Sequence, residues 1–381
     1  MGRENRATID DARNPKDRPA DLASDLVSVV VPVRNGSSEL RRCLEALTRC
    51  RDRCEIVVVD DHSTEKIREI AARYQARYLE MPEHGGPAAA RNLGAKYAHG
   101  EVLVFVDADV LLPPDGLRII VDEFHSHPDI VALFGSYDDA PARSDFWSSF
   151  KNLMHHHVHQ SAKPNASTFW TGCGAIRKQA FEALGGFDAI RYTEPSIEDI
   201  ELGVRLTQRG QPIRLVKRLQ VKHLKRWTLR SMVQTDLFRR AVPWTQLIVR
   251  TGRVPRDLNL TWASRVSAAL VAILAALLVG LLADFVGLLS SPPRVFAIGL
   301  TLASSILLLL NRDLYRLYWR KRGPRFAAGA ILAHWFYFLY SGAAFVCCFA
   351  VAILQSRLRP TTGDSKFGRL RRTWNRLTDA N

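Results

Sequence analysis

Apolar and polar positions divide the chain into two unlike parts. Up to about residue 260 the apolar runs are short, rich in valine, and separated by segments whose hydrophobic positions recur with helical spacing. Residues 26–33 (LVSVVVPV) are a β-branched run without a helical stripe, which predicts a buried parallel strand. A turn and the amphipathic SSELRRCLEALTRC follow, with Ser37 or Ser38 placed to cap the helix. The pattern repeats: EIVVV at 55–59 precedes the helical EKIREIAARYQ, and ARYLEM at 76–81 precedes a glycine turn and the helix of HGGPAAARNLGAKYAHG. Next comes VLVFVDADVLLPPDG at 102–116, an apolar strand interrupted by two carboxylates. Alternation at this spacing predicts an open, doubly wound α/β sheet.

Beyond residue 260 the periodicity disappears into long apolar segments. Residues 266–282 (VSAALVAILAALLVGLL) have no polar face, and roughly 20 such residues suffice to cross a bilayer. Three spans are expected, at about 262–289, 295–311 and 326–354, with residues 312–325 as a basic loop between the last two. Residues 226–261 read as a basic amphipathic stretch lying on the membrane, with Trp227, Leu229, Met232, Val233 and Leu237 offered to the interface. Residues 1–25 read as a disordered polar tail without the apolar core of a secretion signal, and 356–381 as a basic tail. The domain at 26–225 is therefore expected to face the cytosol, as part of a multi-pass protein of the inner membrane.

Charge and cysteine usage narrow the partners. The net charge of +15 could suggest nucleic acid, but basic residues crowd beside the apolar segments, in RDLYRLYWRKRGPR and KFGRLRRTWNR, where they would face anionic headgroups. No nucleic-acid partner is expected. The six cysteines follow neither a zinc pattern nor a disulfide framework, as suits a reducing compartment.

Three predicted strands end in polar clusters: PVRN, DDHS and DAD. In open α/β sheets ligands bind at the carboxyl ends of strands, so the three clusters predict one shared site. No GxGxxG follows the first strand and no GxxxxGK[ST] occurs, which disfavours a dinucleotide and a P-loop. Two carboxylates one residue apart suit a hard cation, Mg²⁺ or Mn²⁺, which shares its ligands with phosphates. Arg91, on the helix after the glycine turn, could meet a diphosphate. Cation, diphosphate and a base-facing Asp together point to a nucleotide sugar.

At this point VSVVVPVRNGS, VVVDDHST, GGPAAARNLGA, VLVFVDAD, TGCGAIRKQAFEALGGFD and SIEDIELGVRLTQRG resemble, in order, the family 2 glycosyltransferases of GT-A fold, specifically membrane-anchored bacterial members. The resemblance implies a Rossmann-like nucleotide-diphospho-sugar transferase domain followed by C-terminal transmembrane helices. It implies that Pro32, Arg34 and Asn35 line the nucleoside pocket, that Asp60 and Asp61 face the base, and that Gly86 and Arg91 face the nucleotide. Asp107, Ala108 and Asp109 form the DxD-like element, with Asp109 the better metal ligand, Asp107 nearer the ribose, and His223 a third ligand. Gly172, Cys173 and Gly174 would form the loop under the donor sugar. Glu198 and Asp199 match the ED motif, in which Asp199 acts as general base for an inverting displacement. His84 stands where many relatives have Asn. Processive synthases carry Q-x-x-R-W, whereas this chain has Arg239-Arg240-Ala241-Val242-Pro243-Trp244; Arg240 and Trp244 could still reach the diphosphate or the acceptor.

The function implied is transfer of one sugar, or a few, to a membrane-associated acceptor: a lipid, a polyprenyl phosphate or a cell-envelope glycan. A processive polysaccharide synthase is the alternative. A nucleotidyltransferase lacks its basic glycine-rich loop, and a non-catalytic scaffold would not need both Asp109 and Asp199. The run His155-His156-His157-Val158-His159 is expected to line a surface or acceptor groove rather than hold a metal.

Overall fold

The computed structural model describes residues 27–50, 54–252, 261–288 and 292–358. The N-terminal tail, the C-terminal tail and part of the predicted interfacial stretch (253–260) lie outside them. The chain forms two compact units, the first ending at Arg226 and the second beginning at Trp227.

The first unit opens with three strand–helix repeats: β1 (Val27–Val33), α1 (Ser37–Thr48), β2 (Cys54–Asp60), α2 (Ile67–Arg73), β3 (Arg77–Glu80) and α3 (Gly86–Tyr97). β4 (Val102–Val106) and the short β5 (Val110–Leu111) flank the DAD turn, and α4 (Gly116–Ser126), β6 (Ala132–Tyr137) and α5 (Phe146–Ser161) follow. The unit closes with β7 (Asn165–Ala166), β8 (Cys173–Arg177), α6 (Lys178–Ala183), α7 (Glu198–Gln208) and β9 (Ile213–His223). The valine runs form strands because both faces of the sheet are covered. Val29, Val30, Val31, Val57, Val58 and Val59 are fully buried, so burial is continuous rather than alternating.

The sheet order is β3-β2-β1-β4-β8-β6-β9-β5, with β7 paired to β9. β1, β2, β3 and β4 are mutually parallel, as expected. The remainder of the sheet is mixed in direction. β8 enters antiparallel between β4 and β6, and β6 pairs parallel with β9. Hydrophobic periodicity reports that a strand is buried but not its direction, so this reversal was outside its reach. The mixed sheet is that of a GT-A fold, and it carries the TGCG segment to the end of β4: Cys173 pairs with Val106, one residue before Asp107.

The second unit is helical. α8 (Leu229–Gln234), a π-helical stretch (Thr235–Ala241) and α9 (Val242–Thr251) replace the single amphipathic segment predicted. Trp227 and Met232, expected at a lipid interface, are instead buried within the protein, whereas Leu229 and Phe238 are exposed. α10 (Trp262–Phe285), α11 (Pro293–Leu310) and α12 (Arg312–Leu358) follow, and all three are long and apolar enough to cross a membrane.

The predicted basic loop at 312–325 is not a loop. It is the first limb of α12, ended by Gly323 (φ 81°, ψ 175°) and Pro324, which break the helix. The two limbs fold back on each other: the Tyr315 hydroxyl lies 3.1 Å from His334 Nδ1, and the Tyr318 and Phe326 rings are 5.7 Å apart. Alternating basic and aromatic residues make this limb amphipathic, a spacing masked in sequence by its density of charge.

Candidate active site

The predicted site residues of the first unit gather at the carboxyl edge of the sheet, but their side chains play unequal parts. At the tip of β2, both carboxylates bind the protein itself. Asp60 accepts from the Ser63 amide at 2.9 Å and from the Tyr78 hydroxyl at 2.8 Å. Asp61 accepts from the amides of Gly85 (2.8 Å) and Gly86 (3.0 Å) and meets His84 Nδ1 at 2.8 Å. Gly86 has φ +82°, and a Cβ there would stand 2.0 Å from the Thr193 carbonyl oxygen, so the turn that feeds Asp61 its donors requires glycine.

Asn35, in the left-handed region at φ 47°, accepts from the Thr64 amide at 2.8 Å and ties the β1 turn to the DDHS turn. Pro32 is half-buried at the end of β1, and Arg34 is exposed, with Nη1 2.9 Å from His84 Nε2. His84 thus bridges Asp61, Arg34 and, at 3.3 Å, Glu194.

The tip of β4 differs. Asp107, Ala108 and Asp109 form the turn between β4 and β5, closed by the Val110 amide on the Asp107 carbonyl at 2.9 Å. Arg91, expected to face the nucleotide, is buried. Its Nη2 donates to Asp107 Oδ1 at 2.7 Å and its Nη1 to Glu198 Oε1 at 2.8 Å. One guanidinium therefore joins the DAD turn to the start of α7. Glu198 is buried and also accepts from the Ser196 amide at 2.9 Å, so it holds α7 in place.

Its neighbour Asp199 accepts from the Ile200 amide (2.7 Å), the Thr171 amide (3.2 Å) and the Thr171 hydroxyl (3.3 Å). Burial first, and then the charge of Glu198, push the Asp199 carboxyl up to about 6, against the pull of Arg91 and the two amides. A carboxylate titrating there is suited to taking up a proton near neutral pH.

Asp109 and His223 form a second pair, with Oδ2 and Nε2 3.3 Å apart. That is close to the separation of neighbouring donors around one cation with bonds of ~2.1 Å. Burial raises both aspartates of the turn. At Asp107, Arg91 opposes and Asp109 reinforces the rise. At Asp109, burial is opposed by His223, then by Lys225 and a backbone hydrogen bond, and together these hold the carboxyl below its usual range. The Tyr137 ring stacks on His223 at 4.8 Å and 18° and sets the imidazole plane. Among the described residues no three His, Cys, Asp or Glu side chains are grouped to hold a metal unaided. The predicted trio is thus a two-donor set plus an Asp107 engaged by Arg91, an arrangement that fits a cation completing its shell with phosphate oxygens.

The glycines of TGCG are closely packed within the protein. A Cβ on Gly172 would meet the Trp170 ring at 2.2 Å, and one on Gly174 would meet the Trp170 carbonyl oxygen at 2.4 Å. Packing of Trp170 and Phe169 demands them. Cys173 is buried, and burial pushes its thiol up to about 12, so it stays neutral. Arg240 and Trp244 belong to the second unit, where Arg240 Nη1 lies 3.8 Å from Asp236.

The histidine run lies on α5. His156 Nδ1 is 2.8 Å from the Tyr137 carbonyl oxygen, His155 packs edge-on to the Tyr137 ring, and His159 is buried against Trp170. Three contributors escaped the sequence reading: Thr171, Tyr137 and Glu194. Thr171 adjoins a recognised motif and could have been noticed; the other two have no local signal.

Comparison with known proteins agrees with this geometry. Residues 28–185 match Glycosyl transferase family 2. The chain is 30% identical over 223 residues to the pre-mycofactocin glycosyltransferase of Mycobacterium tuberculosis, covering 56% of this chain and 45% of that protein. It is 29% identical over 224 residues to the validoxylamine A glucosyltransferase of Streptomyces hygroscopicus subsp. jinggangensis, covering 49% and 53%. The chain thus spans about half the length of the curated relatives it matches. Among solved structures it is similar to a Pyrobaculum calidifontis mannosyltransferase in complex with GDP-Man and Mn²⁺, with TM-score 0.49 and 22% identity, covering 76% of this chain and 86% of that one. The segment that matches glycosyl transferase family 2, residues 28–185, carries the tips of β1 and β2 and the DAD turn after β4.

Proposed function

We propose that the chain is an inverting glycosyltransferase that takes a sugar from a nucleotide-diphosphate donor and transfers it to an acceptor presented at a membrane. The observation that carries this reading is the linkage of Asp199 to the DAD turn. Asp199 titrates near 6 beside Glu198, and Glu198 is tied through Arg91 to Asp107. A proton acceptor and a cation-binding turn are thereby held in one rigid unit.

In the reaction, an acceptor hydroxyl attacks the anomeric carbon as the bond to the diphosphate breaks. Asp199 takes the hydroxyl proton, and the nucleoside diphosphate leaves with the electron pair of the broken bond. Attack opposite the leaving group inverts the anomeric centre. Asp109 and His223 are the residues to hold Mg²⁺ or Mn²⁺, with Asp107 oriented by Arg91 towards the ribose. The cation, when bound, would offset charge growing on the departing diphosphate. Pro32, Arg34 and Asn35 form the rim of the nucleoside pocket, and Asp60 and Asp61 build its wall by holding the turns around it. The three apolar helices anchor the enzyme as a multi-pass membrane protein whose transferase domain faces the cytoplasm. The acceptor is then a lipid, a polyprenyl phosphate or a cell-envelope glycan.

The test is nucleoside-diphosphate release from a panel of nucleotide sugars with Mn²⁺ or Mg²⁺ and a membrane lipid extract. Turnover is expected with one donor class and should vanish in Asp109→Ala. Asp199→Asn should bind donor but fall by about 100-fold or more in transfer. No turnover of any donor would refute the proposal; loss of donor binding in Asp199→Asn would refute the role of the base.

A further inference from the structure

The first limb of α12 carries Arg312, Arg316 and Arg320 one turn apart, hence on one face of the helix. All three line a cavity of about 440 Å³ whose other walls include Leu308, Trp319, Ala327 and Ile331. The walls come from the end of α11 and from both limbs of α12, all within the second unit. The cavity is therefore apolar along its length and cationic along one rim. Among the described residues only Asp313 pairs with the rim: it lies 3.7 Å from both Arg312 and Arg316, and all three side chains are well exposed, so those pairs are weak. Three guanidiniums against one carboxylate leave the rim with excess positive charge. Trp319 is 60% exposed beside it, an amphipathic ring of the kind that settles at the headgroup level of a bilayer.

A soluble anion would use the arginines but not the apolar walls, and a neutral lipid would use the walls but not the arginines. We propose that this groove binds an anionic phospholipid of the bilayer, its phosphate against Arg312, Arg316 and Arg320 and an acyl chain along Leu308, Trp319, Ala327 and Ile331. The guanidinium fork suits phosphate oxygens, and the fold-back at Gly323 is what brings Ala327 and Ile331 opposite the arginine face. The proposal rests on the membrane residence of the helical unit and is independent of the transfer chemistry.

The full chain is to be reconstituted in nanodiscs of phosphatidylcholine containing a minor fraction of acyl-brominated phosphatidylglycerol, or the same fraction of brominated phosphatidylcholine. Quenching assigned to Trp319, by difference from Trp319→Phe, should be stronger with the anionic lipid and unchanged by excess inorganic phosphate. Each of Arg312→Gln, Arg316→Gln and Arg320→Gln should weaken that preference by about fivefold. Equal quenching by the two lipids, displacement by inorganic phosphate, or an intact preference in the triple variant would overturn the site. The lipid comparison on the parent protein stands even if a variant fails to fold. A chain that does not enter bilayers at all overturns the membrane reading and this proposal together.

Discussion

Two strand tips, one on either side of β1, carry paired aspartates, and they do opposite things. At the end of β2, Asp60 and Asp61 accept from Ser63, Tyr78, Gly85, Gly86 and His84, so their oxygens are engaged by the protein that surrounds them. At the end of β4, Asp107 gives one oxygen to Arg91, and Asp109 stands against a histidine able to share a cation. A carboxylate with a full set of backbone donors is a structural part; one facing another metal-binding side chain is available to a ligand. The difference lies in the partners and not in the doublet.

The contrast can be broken most severely at β4. Asp109→Asn should lower nucleoside-diphosphate release by about 1,000-fold at saturating Mn²⁺, while Tm moves little because the side chain is partly exposed. A large fall in Tm with normal cation affinity would make β4 the structural tip after all.

Arg91→Met is the next test, since it leaves Glu198 buried without its cation. It should cost about 3–5 kcal/mol in chemical denaturation. A loss below about 1 kcal/mol would show that the strut between β4 and α7 is dispensable.

At β2 the outcome should reverse. Asp61→Asn places an amide where two backbone amides donate, and should cost about 1–3 kcal/mol with cation affinity unchanged. Weakened cation binding, measured by Mn²⁺ electron paramagnetic resonance, would instead make both tips ligand sites.

The smallest expected effect is in pH dependence. The Asp199 carboxyl is raised to about 6, and the base must be ionised, so kcat/KM should rise with pH and level off above about 6. The raised value means that the folded state binds this proton more tightly than the unfolded chain. The stabilisation is full below the unfolded value near ~3.9 and is lost as pH rises through about 6. Asp199→Asn should accordingly match or exceed the parent in Tm at pH above 6 and lose that advantage in acid. A profile flat between pH 5 and 8 (about three units spanning the shift) would remove Asp199 from the proton transfer.

Much of this was legible in the chain. β1, β2 and β4 follow from valine runs that can be buried only on both faces, and the convergence of PVRN, DDHS and DAD follows from parallel strands ending on one edge. The antiparallel entry of β8 was not legible, because strand direction leaves no trace in hydrophobic spacing. Gly172 and Gly174 were legible as close-approach positions, but what approaches is Trp170, set by packing between segments. Arg91 was visible as a charge near the site; its burial between Asp107 and Glu198 depends on residues 16 and 107 positions away. The first limb of α12 looked like a loop because its aromatic face was hidden among five basic residues.

By itself the sequence determined the first four strands and the helices between them, the set of ionisable groups at their tips, and the presence of three segments apolar enough to cross a membrane. These depend on local periodicity and on burial, which each segment carries in its own composition. Only the tertiary structure decided which aspartates are occupied by backbone donors, which face a histidine, and which arginine is a strut rather than a ligand contact. Those outcomes depend on distances between residues far apart in the chain, and a carboxylate takes its role from whatever charge or donor the fold brings within about 3 Å of it.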